Sequence, residues 1–416
     1  MEWKFEEYRD RLIIKAEGDI KFYTFRPEEF SNGGTALKKN MPVFYNPVQE
    51  INRSISMIAY SAFLSLNQTN DRLQPFSIVD SMAASGIRSL RLLKYLSEDV
   101  HILANDLNPL ALRLIEKNAE LNALPLDRLE FTNEEATFLF AKLRKERRFH
   151  TIIDIDPFGT PNVFIDTALR AIQIQGLLGI TATDTAVFFG VKPSACLRKY
   201  NIRSLRSSFL KEVGLRILLA FVAFRAHPYM NYIVPMLSLS FNHYIRFFVK
   251  VLKGKEGVTQ NLSQIGYMYW CPKCDWRSSG GLDVRTASFS CPLCQAKVEY
   301  GGPMWLGPLH DSSFVHQCQQ TLTATEKHTV PSKKRLEKVL TVISQEDRFP
   351  PGYYDLHKMC DSLQISVAKT TTIIQTIEAQ GYHAGLTHIE PRAIKTDIPL
   401  PKLKMILKEL AFASKT

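Results

Sequence analysis

The chain has 416 residues, 45% hydrophobic and 22% charged, with a net charge of +11. That length exceeds one ordinary core, so two or three domains are expected of a soluble composition. No run reaches the ~18 apolar residues of a membrane span, and the N-terminus lacks an apolar signal core, so the expected setting is intracellular and cytoplasmic, with no membrane partner. The positive surplus favours a polyanion, most commonly nucleic acid, although an ordinary basic enzyme carries such charge too.

Residues 1–75 are mixed in texture. They hold a turn-rich patch, Ser31-Asn32-Gly33-Gly34, then Met41-Pro42-Val43-Phe44-Tyr45-Asn46-Pro47. A helix is predicted over 48–66, with Ile51, Ile55, Ile58, Ala59 and Ala62 on one face. From Phe76 strands alternate with helices. Strands are predicted over 76–80, 101–104, 129–132, 151–155 and 177–182, and helices over 87–96, 109–121 and 163–173. Closing strands follow at 237–239 and 244–251. This alternation predicts a mostly parallel sheet with crossover helices. Composition shifts near residues 253–257, where a cysteine-pair segment begins. A polar stretch over 321–334 reads as linker and helix start. Helices over 355–361 and 366–380, then an extended stretch and a basic tail, suggest a winged helix. The expected domains are 1–255, 256–310 and 311–416.

In open parallel sheets, ligands bind beyond the carboxyl ends of the strands. Asp80 ends the first strand, and Ser81-Met82-Ala83-Ala84-Ser85-Gly86 forms the turn after it. Small residues there let a ligand approach the backbone, but one glycine does not make the three-glycine phosphate grip. Asp106 follows the second strand, where an acid suits two ribose hydroxyls. Glu134-Glu135-Ala136 follows the third and could hold an adenine amine. Each acid alone reads better as a cap or turn residue. Three in order point to S-adenosylmethionine, a nucleoside cofactor without phosphate.

The fourth strand ends in Asp154-Ile155-Asp156-Pro157-Phe158-Gly159. An exocyclic base amine is a poor nucleophile because its lone pair is delocalised into the ring. A carboxylate can orient it and accept its proton as a methyl arrives. Asp156 fits that role, Pro157 stiffens the backbone, and Phe158 can stack on a base taken out of its helix. Asp154 either supports Asp156 or only ends the strand.

Four of the seven cysteines form two Cys-x-x-Cys pairs, Cys271/Cys274 and Cys291/Cys294. This spacing suits one structural zinc with four thiolates and no open coordination position. Trp270, Lys273, Trp276 and Arg277 around the first pair either touch RNA or pack about the metal. Arg198-Lys199-Tyr200 with Arg203 and Arg206 suits phosphate contacts or a solvated helix face. Lys395, Lys402, Lys404 and Lys408 add charge to the tail, and His227, His243 and His310 read as structural.

These residues together resemble the tRNA (guanine-N2-)-dimethyltransferase family. The likeness is carried by Val43-Phe44-Tyr45-Asn46-Pro47 with Asn52-Arg53, by Ala84-Ser85-Gly86-Ile87-Arg88 with Arg91, and by Asn105-Asp106. It continues through Asp154 to Gly159, Thr181-Ala182-Thr183-Asp184, Cys196 to Tyr200 and Gly302 to Leu309. The resemblance implies stepwise methylation of the exocyclic N2 amine of a tRNA guanosine, typically at position 26. It implies cofactor contacts at Arg53, Arg88, Asp106, Glu135 and Ala136, joined by Asp80 from the strand reading, and catalysis at Asp156. The family commonly has Asp where this chain has Glu135, one methylene longer. The expected fold is thus α/β, a Rossmann-like S-adenosylmethionine-dependent methyltransferase sheet, with a small zinc-knuckle segment and a C-terminal, mostly helical, winged-helix-like domain. The expected partner is tRNA, with no obligate protein partner and a monomeric chain. Another guanosine such as position 27, another nucleic-acid base or a protein amide remains chemically compatible, as does a binding protein that keeps only the cofactor fold.

Overall fold

A computed structural model describes residues 8–30, 41–68, 75–241, 243–283, 290–346 and 348–413. The turn patch at 31–34 lies outside them. In chain order the elements begin with β1 (Leu12–Glu17), β2 (Ile20–Phe25), α1 (Glu50–Leu66), β3 (Phe76–Asp80), α2 (Ile87–Tyr95) and β4 (Val100–Asn105). They continue with α3 (Pro109–Leu121), β5 (Leu129–Thr132), α4 (Ala136–Lys145), β6 (His150–Ile155), α5 (Ile165–Ala171) and β7 (Ile172–Ala182). Next come α6 (Thr185–Phe188), α7 (Pro193–Tyr200), α8 (Leu210–Ala226), β8 (Asn231–Phe241), β9 (Tyr244–Lys253), α9 (Lys255–Ser263), β10 (Ile265–Trp270) and β11 (Arg277–Gly281). After these are β12 (Glu299–Trp305), α10 (Ser312–Ala324), α11 (Lys333–Ile343), β13 (Tyr354–Asp355) and α12 (Leu356–Leu363). The chain closes with α13 (Thr370–Ala379), β14 (Ala384–Leu386), β15 (Ala393–Thr396) and α14 (Leu400–Ala413).

Two units interleave along the chain. The first comprises Met1–Thr181, Phe248–Leu252 and His316–Lys338; the second comprises Ala182–Phe247, Lys253–Val315 and Val339–Thr416. In the first, the sheet runs β5-β4-β3-β6-β7-β9. Its pairs β3–β4, β3–β6, β4–β5 and β6–β7 are all parallel. β6 is buried along its whole length, as a parallel strand covered on both faces must be. Register sets Asp80 beside Asp154 at the carboxyl ends of β3 and β6. The helices start where the sequence supplies caps. Asn108 accepts from the Leu110 N–H ahead of Pro109, and Asn46 accepts from the Val48 N–H ahead of α1.

The predicted strands at 76–80 and 129–132 and the helix at 109–121 coincide with β3, β5 and α3. Two readings are refined. The predicted helix at 163–173 stops at Ala171, and β7 already starts at Ile172. Ile172 pairs with His150 and Leu177 with Ile152, so a register shift lies between them; within it, a Cβ on Gly176 would lie 2.7 Å from the Gln173 carbonyl and 2.8 Å from that of Thr151. The polar stretch 321–334 is a linker only in part: α10 runs into it as far as Ala324, the connection covers 325–332, and the helix start falls at Lys333, where α11 begins. Its threonines are anchored by hydrogen bonds: Thr325 to Tyr95 at 2.5 Å and Thr329 to Asp19 at 2.6 Å. The basic tail is helical, forming α14.

In the second unit β10 pairs antiparallel with β11 and β12. A three-stranded sheet, β13-β15-β14, shares a core with α12, α13 and α14. Helices with a small sheet answer the winged-helix expectation. Among the described residues no helix is long and apolar enough to cross a membrane.

Candidate active site and metal centre

The carboxyl ends of β3 and β6 gather three acids around one arginine. Asp80 and Asp154 are buried, and Asp156 is partly exposed. Arg88, from the first turn of α2, is ion-paired to Asp156 Oδ2 and lies 3.4 Å from Asp154 Oδ2. Its Nη1 also donates to Ser56 Oγ at 2.7 Å. The surrounding carboxylates hold the guanidinium charged against the opposing effect of burial. Burial, aided by Asp154 and Asp156, pushes the Asp80 carboxyl up to about 6, and Ser89 Oγ donates to it at 2.7 Å. Tyr60 donates to Asp154, so Asp154 joins the hydrogen-bonded cluster as well as ending its strand.

Asp156 has a second anchor. Asn52 Nδ2 in α1 donates to Asp156 Oδ2 at 3.3 Å and to Thr181 Oγ1 at 3.2 Å. Both anchors use Oδ2. Among the described residues no side chain binds Oδ1. Next along the chain, Pro157 is buried and Phe158 is 55% exposed. The Phe158 ring stands edge-on to Phe44, 5.5 Å between centroids at 90°. An exposed phenyl ring held by a neighbour beside an accessible carboxylate oxygen is an arrangement suited to a planar amine.

The turn after β3 is tightly determined. Ala84 and Gly86 have φ of 46° and 76°. A Cβ on Gly86 would come within 2.6 Å of Ile115 in α3, so only glycine fits. Asp106 Oδ2 accepts the Ala84 N–H at 2.8 Å, and Oδ1 accepts that of Asn108 at 2.9 Å. Burial raises its carboxyl while these two bonds oppose the rise. Each oxygen keeps a lone pair, which suits a pair of ribose hydroxyls.

Two predicted cofactor residues also make contacts within the protein. Arg53 Nε and Nη2 bind Glu17 Oε1 and Oε2 at 2.7 and 2.5 Å, and Nη2 also reaches the Asn46 carbonyl at 3.0 Å. Arg91 Nη1 binds Glu17 Oε1 at 2.8 Å, and Tyr45 donates to Oε2 at 3.2 Å. Burial alone would raise the Glu17 carboxyl, but the two arginines bring it below its ordinary value. Glu135 is the N-cap of α4, accepting from the N–H groups of Thr137 and Phe138 at 3.0 and 3.1 Å, with Ala136 the first helical residue. Nothing in the local sequence marks Glu17, Tyr60 or Ser56. Glu17 ends a short alternating strand and has the pattern of a surface acid.

The four cysteine sulfurs lie within 4.8 Å of one another. Cys271–Cys294 and Cys274–Cys291 are each 3.5 Å apart, close to the ~3.8 Å edge of a tetrahedron with 2.3 Å zinc–sulfur bonds. The two knuckles repeat the same turn. Asp275 N–H bonds Cys271 O and Gln295 N–H bonds Cys291 O, both at 2.9 Å, and both residues have positive φ. The donor set fits one closed zinc site. Trp270 and Arg277 are tied to Asp275 at 2.6 and 2.7 Å, so they build the knuckle rather than an open surface.

Two charge readings change. Lys395 is buried and paired with Glu212 at 3.1 Å, and Lys404 donates to the Cys274 carbonyl at 2.7 Å, so neither is free tail charge. His310, which had no partner in the sequence spacing, lies with Glu346 and His388. Its Nδ1 accepts the Ser238 N–H at 3.2 Å, which places the ring proton on Nε2. Nε2 is buried and has no hydrogen-bond partner among the described residues.

The parallel sheet, the small-residue turn and the acids at successive strand ends define a Rossmann-like methyltransferase. A family model described as N2,N2-dimethylguanosine tRNA methyltransferase matches residues 23–408, and the chain belongs to that family. It is 35% identical to a tRNA (guanine(26)-N(2))-dimethyltransferase of Methanobrevibacter smithii, over 98% of this chain and 99% of the relative. It is 32% identical to a tRNA (guanine(26)-N(2)/guanine(27)-N(2))-dimethyltransferase of Aquifex aeolicus, over 90% and 92% of the two chains. A solved structure of Trm1 from Pyrococcus horikoshii with S-adenosyl-L-methionine superposes with a TM-score of 0.80 at 32% identity, covering 95% of this chain and 100% of the other.

Proposed function

We propose that this chain methylates the N2 amine of guanosine 26 in tRNA, giving N2-methyl- and then N2,N2-dimethylguanosine. The observation that carries the chemistry is Asp156, anchored by Arg88 and Asn52 through Oδ2, with Oδ1 unbound among the described residues. Oδ1 accepts the amine hydrogen, which turns the nitrogen lone pair toward the methyl donor. As nitrogen gains a methyl group it loses a proton, and Oδ1 is placed to take it. Phe158 stacks the guanine, and buried Pro157 keeps acid and ring in fixed relation. Bound S-adenosylmethionine supplies the methyl group from its sulfonium.

Asp106 is assigned to the ribose hydroxyls, and Glu135 with Ala136 to the adenine end through the start of α4. Asp80, Arg88 and Arg53 complete the cofactor side. Arg88 has two duties, since it also positions Asp156. Within this reading residues 1–255 carry the transfer, 256–310 the zinc held by Cys271, Cys274, Cys291 and Cys294, and 311–416 the winged-helix-like part. The chain works inside the cell as a monomer.

The test is incubation of the purified protein with labelled cofactor and unmodified tRNA, followed by mass-spectrometric mapping. Label at guanosine 26, lost in Asp156→Ala, is expected. Label confined to DNA or protein would overturn the reading. Label at a neighbouring guanosine would keep the chemistry and correct the position.

A further inference from the structure

The second unit holds a cavity of about 730 Å³ that shares no lining residue with the Asp156 site. Its size is within the range of small-molecule sites. Tyr267 and Tyr269 on β10 and Tyr300 on β12 form one wall. Leu197 on α7, Arg203 and Arg206 line it as well. The Tyr300 ring lies 6.2 Å from that of Tyr267 and 6.4 Å from that of Tyr269. The Arg203 guanidinium sits 4.6 Å from the Tyr300 centroid. It is held there by its own backbone, which exchanges hydrogen bonds of 3.1 and 2.8 Å with Gly302, two residues beyond Tyr300.

The composition of this cavity suits an outside ligand. Leu197 is 56% exposed, and Arg203 and Arg206 are exposed. Among the described residues neither arginine forms a salt bridge. Stacking surfaces beside unneutralised guanidinium groups match a nucleotide, which has a π-face and a phosphate. Glu299, the acid in the lining, can accept from a base amine. On a chain of net charge +11 the complementary partner is the polyanionic substrate itself.

We propose that this cavity receives an unstacked nucleotide of the substrate tRNA, other than the guanosine methylated at Asp156. The base stacks against the Arg203–Tyr300 pair and the phosphate meets Arg206. This rests on the reading that tRNA is the substrate, and its role is to hold the RNA in register.

Arg203→Ala, Arg206→Ala, Tyr300→Ala and Tyr300→Phe separate the two claims. Alanine at 203 or 300 should raise the tRNA Kd and KM by ~5- to 100-fold, the loss expected for one stacked base. The turnover number and the affinity for S-adenosylmethionine should stay at wild-type values. Tyr300→Phe keeps the ring and should behave as wild type. Arg206→Ala should reduce the salt dependence of tRNA binding by about one phosphate contact. Zinc content serves as the folding control for Tyr300→Ala; if it falls, the exposed arginine variants decide. Wild-type KM and salt dependence in both arginine variants of an enzyme that methylates tRNA would overturn the cavity proposal alone. A wild-type chain that neither binds nor methylates tRNA would overturn the substrate reading as well.

Discussion

Arg88 meets Asp156 with one guanidinium nitrogen while the other lies 3.4 Å from Asp154. The Asp156 carboxylate is therefore tied into a largely buried charge network rather than standing as a free surface acid. Asp156→Asn keeps the shape but cannot take the amine proton. Turnover should fall by ~100- to 10,000-fold, the usual contribution of a positioned base. Calorimetry should find cofactor and tRNA affinities within a few fold of wild type. Unchanged turnover would remove Asp156 from the mechanism.

Phe158 is more than half exposed and touches Phe44 edge-on. Replacing it should affect the RNA rather than the fold. Phe158→Ala is expected to reduce kcat/KM for tRNA by ~5- to 100-fold, with Phe158→Tyr close to wild type. Thermal unfolding of Phe158→Ala should match that of the parent, and a marked drop in Tm would mark the ring as structural.

Glu17 receives both Arg53 and Arg91 in a buried cluster. Glu17→Gln leaves two buried guanidinium groups without their counter-ion. The expected loss is about 3–5 kcal/mol of stability, read by denaturant unfolding. A loss under ~1 kcal/mol would show that water or other groups already neutralise them.

Glu212 links stability to pH. Burial alone would raise its carboxyl, but Lys395, Arg216 and the Gly352 N–H bring it down to about 2. An acid depressed on folding stabilises above its unfolded value of ~4.3 and loses that contribution as pH falls toward 2. The difference corresponds to about 3 kcal/mol. The stability gap between wild type and Glu212→Gln should be widest at neutral pH and narrow between pH 4 and 2. A gap independent of pH would sink the assignment.

The cysteine cluster predicts about one equivalent of zinc per chain. Chelation, or Cys274→Ala, should lower Tm and release the metal. A metal-free chain with unchanged Tm would leave the knuckles as simple turns.

The parallel-sheet strands are legible because short apolar runs carry acids at or just beyond their carboxyl ends, as at Phe76–Asp80 and His150–Ile155. Asp156 and the cysteines were legible for a related reason: their chemistry depends on local spacing. The partners were not. Glu17 reaches Arg53 across 36 residues and Arg91 across 74, and Tyr60 reaches Asp154 across 94. Nothing near Glu17 marks it, since an acid ending an alternating strand has the pattern of a solvated edge. Glu135 shows the converse: the position is visible in the sequence, and its carboxylate caps α4, because cap and ligand roles favour the same residue types.

The Gly86 turn is backed by Ile115, leaving no room even for a methyl group. A loop that cannot collapse backward has little conformational freedom to surrender when a ligand settles on it. Its affinity for a nucleoside should carry a small ordering penalty. In hydrogen exchange, the amides of residues 84–86 should be slow before any ligand arrives and change little afterwards.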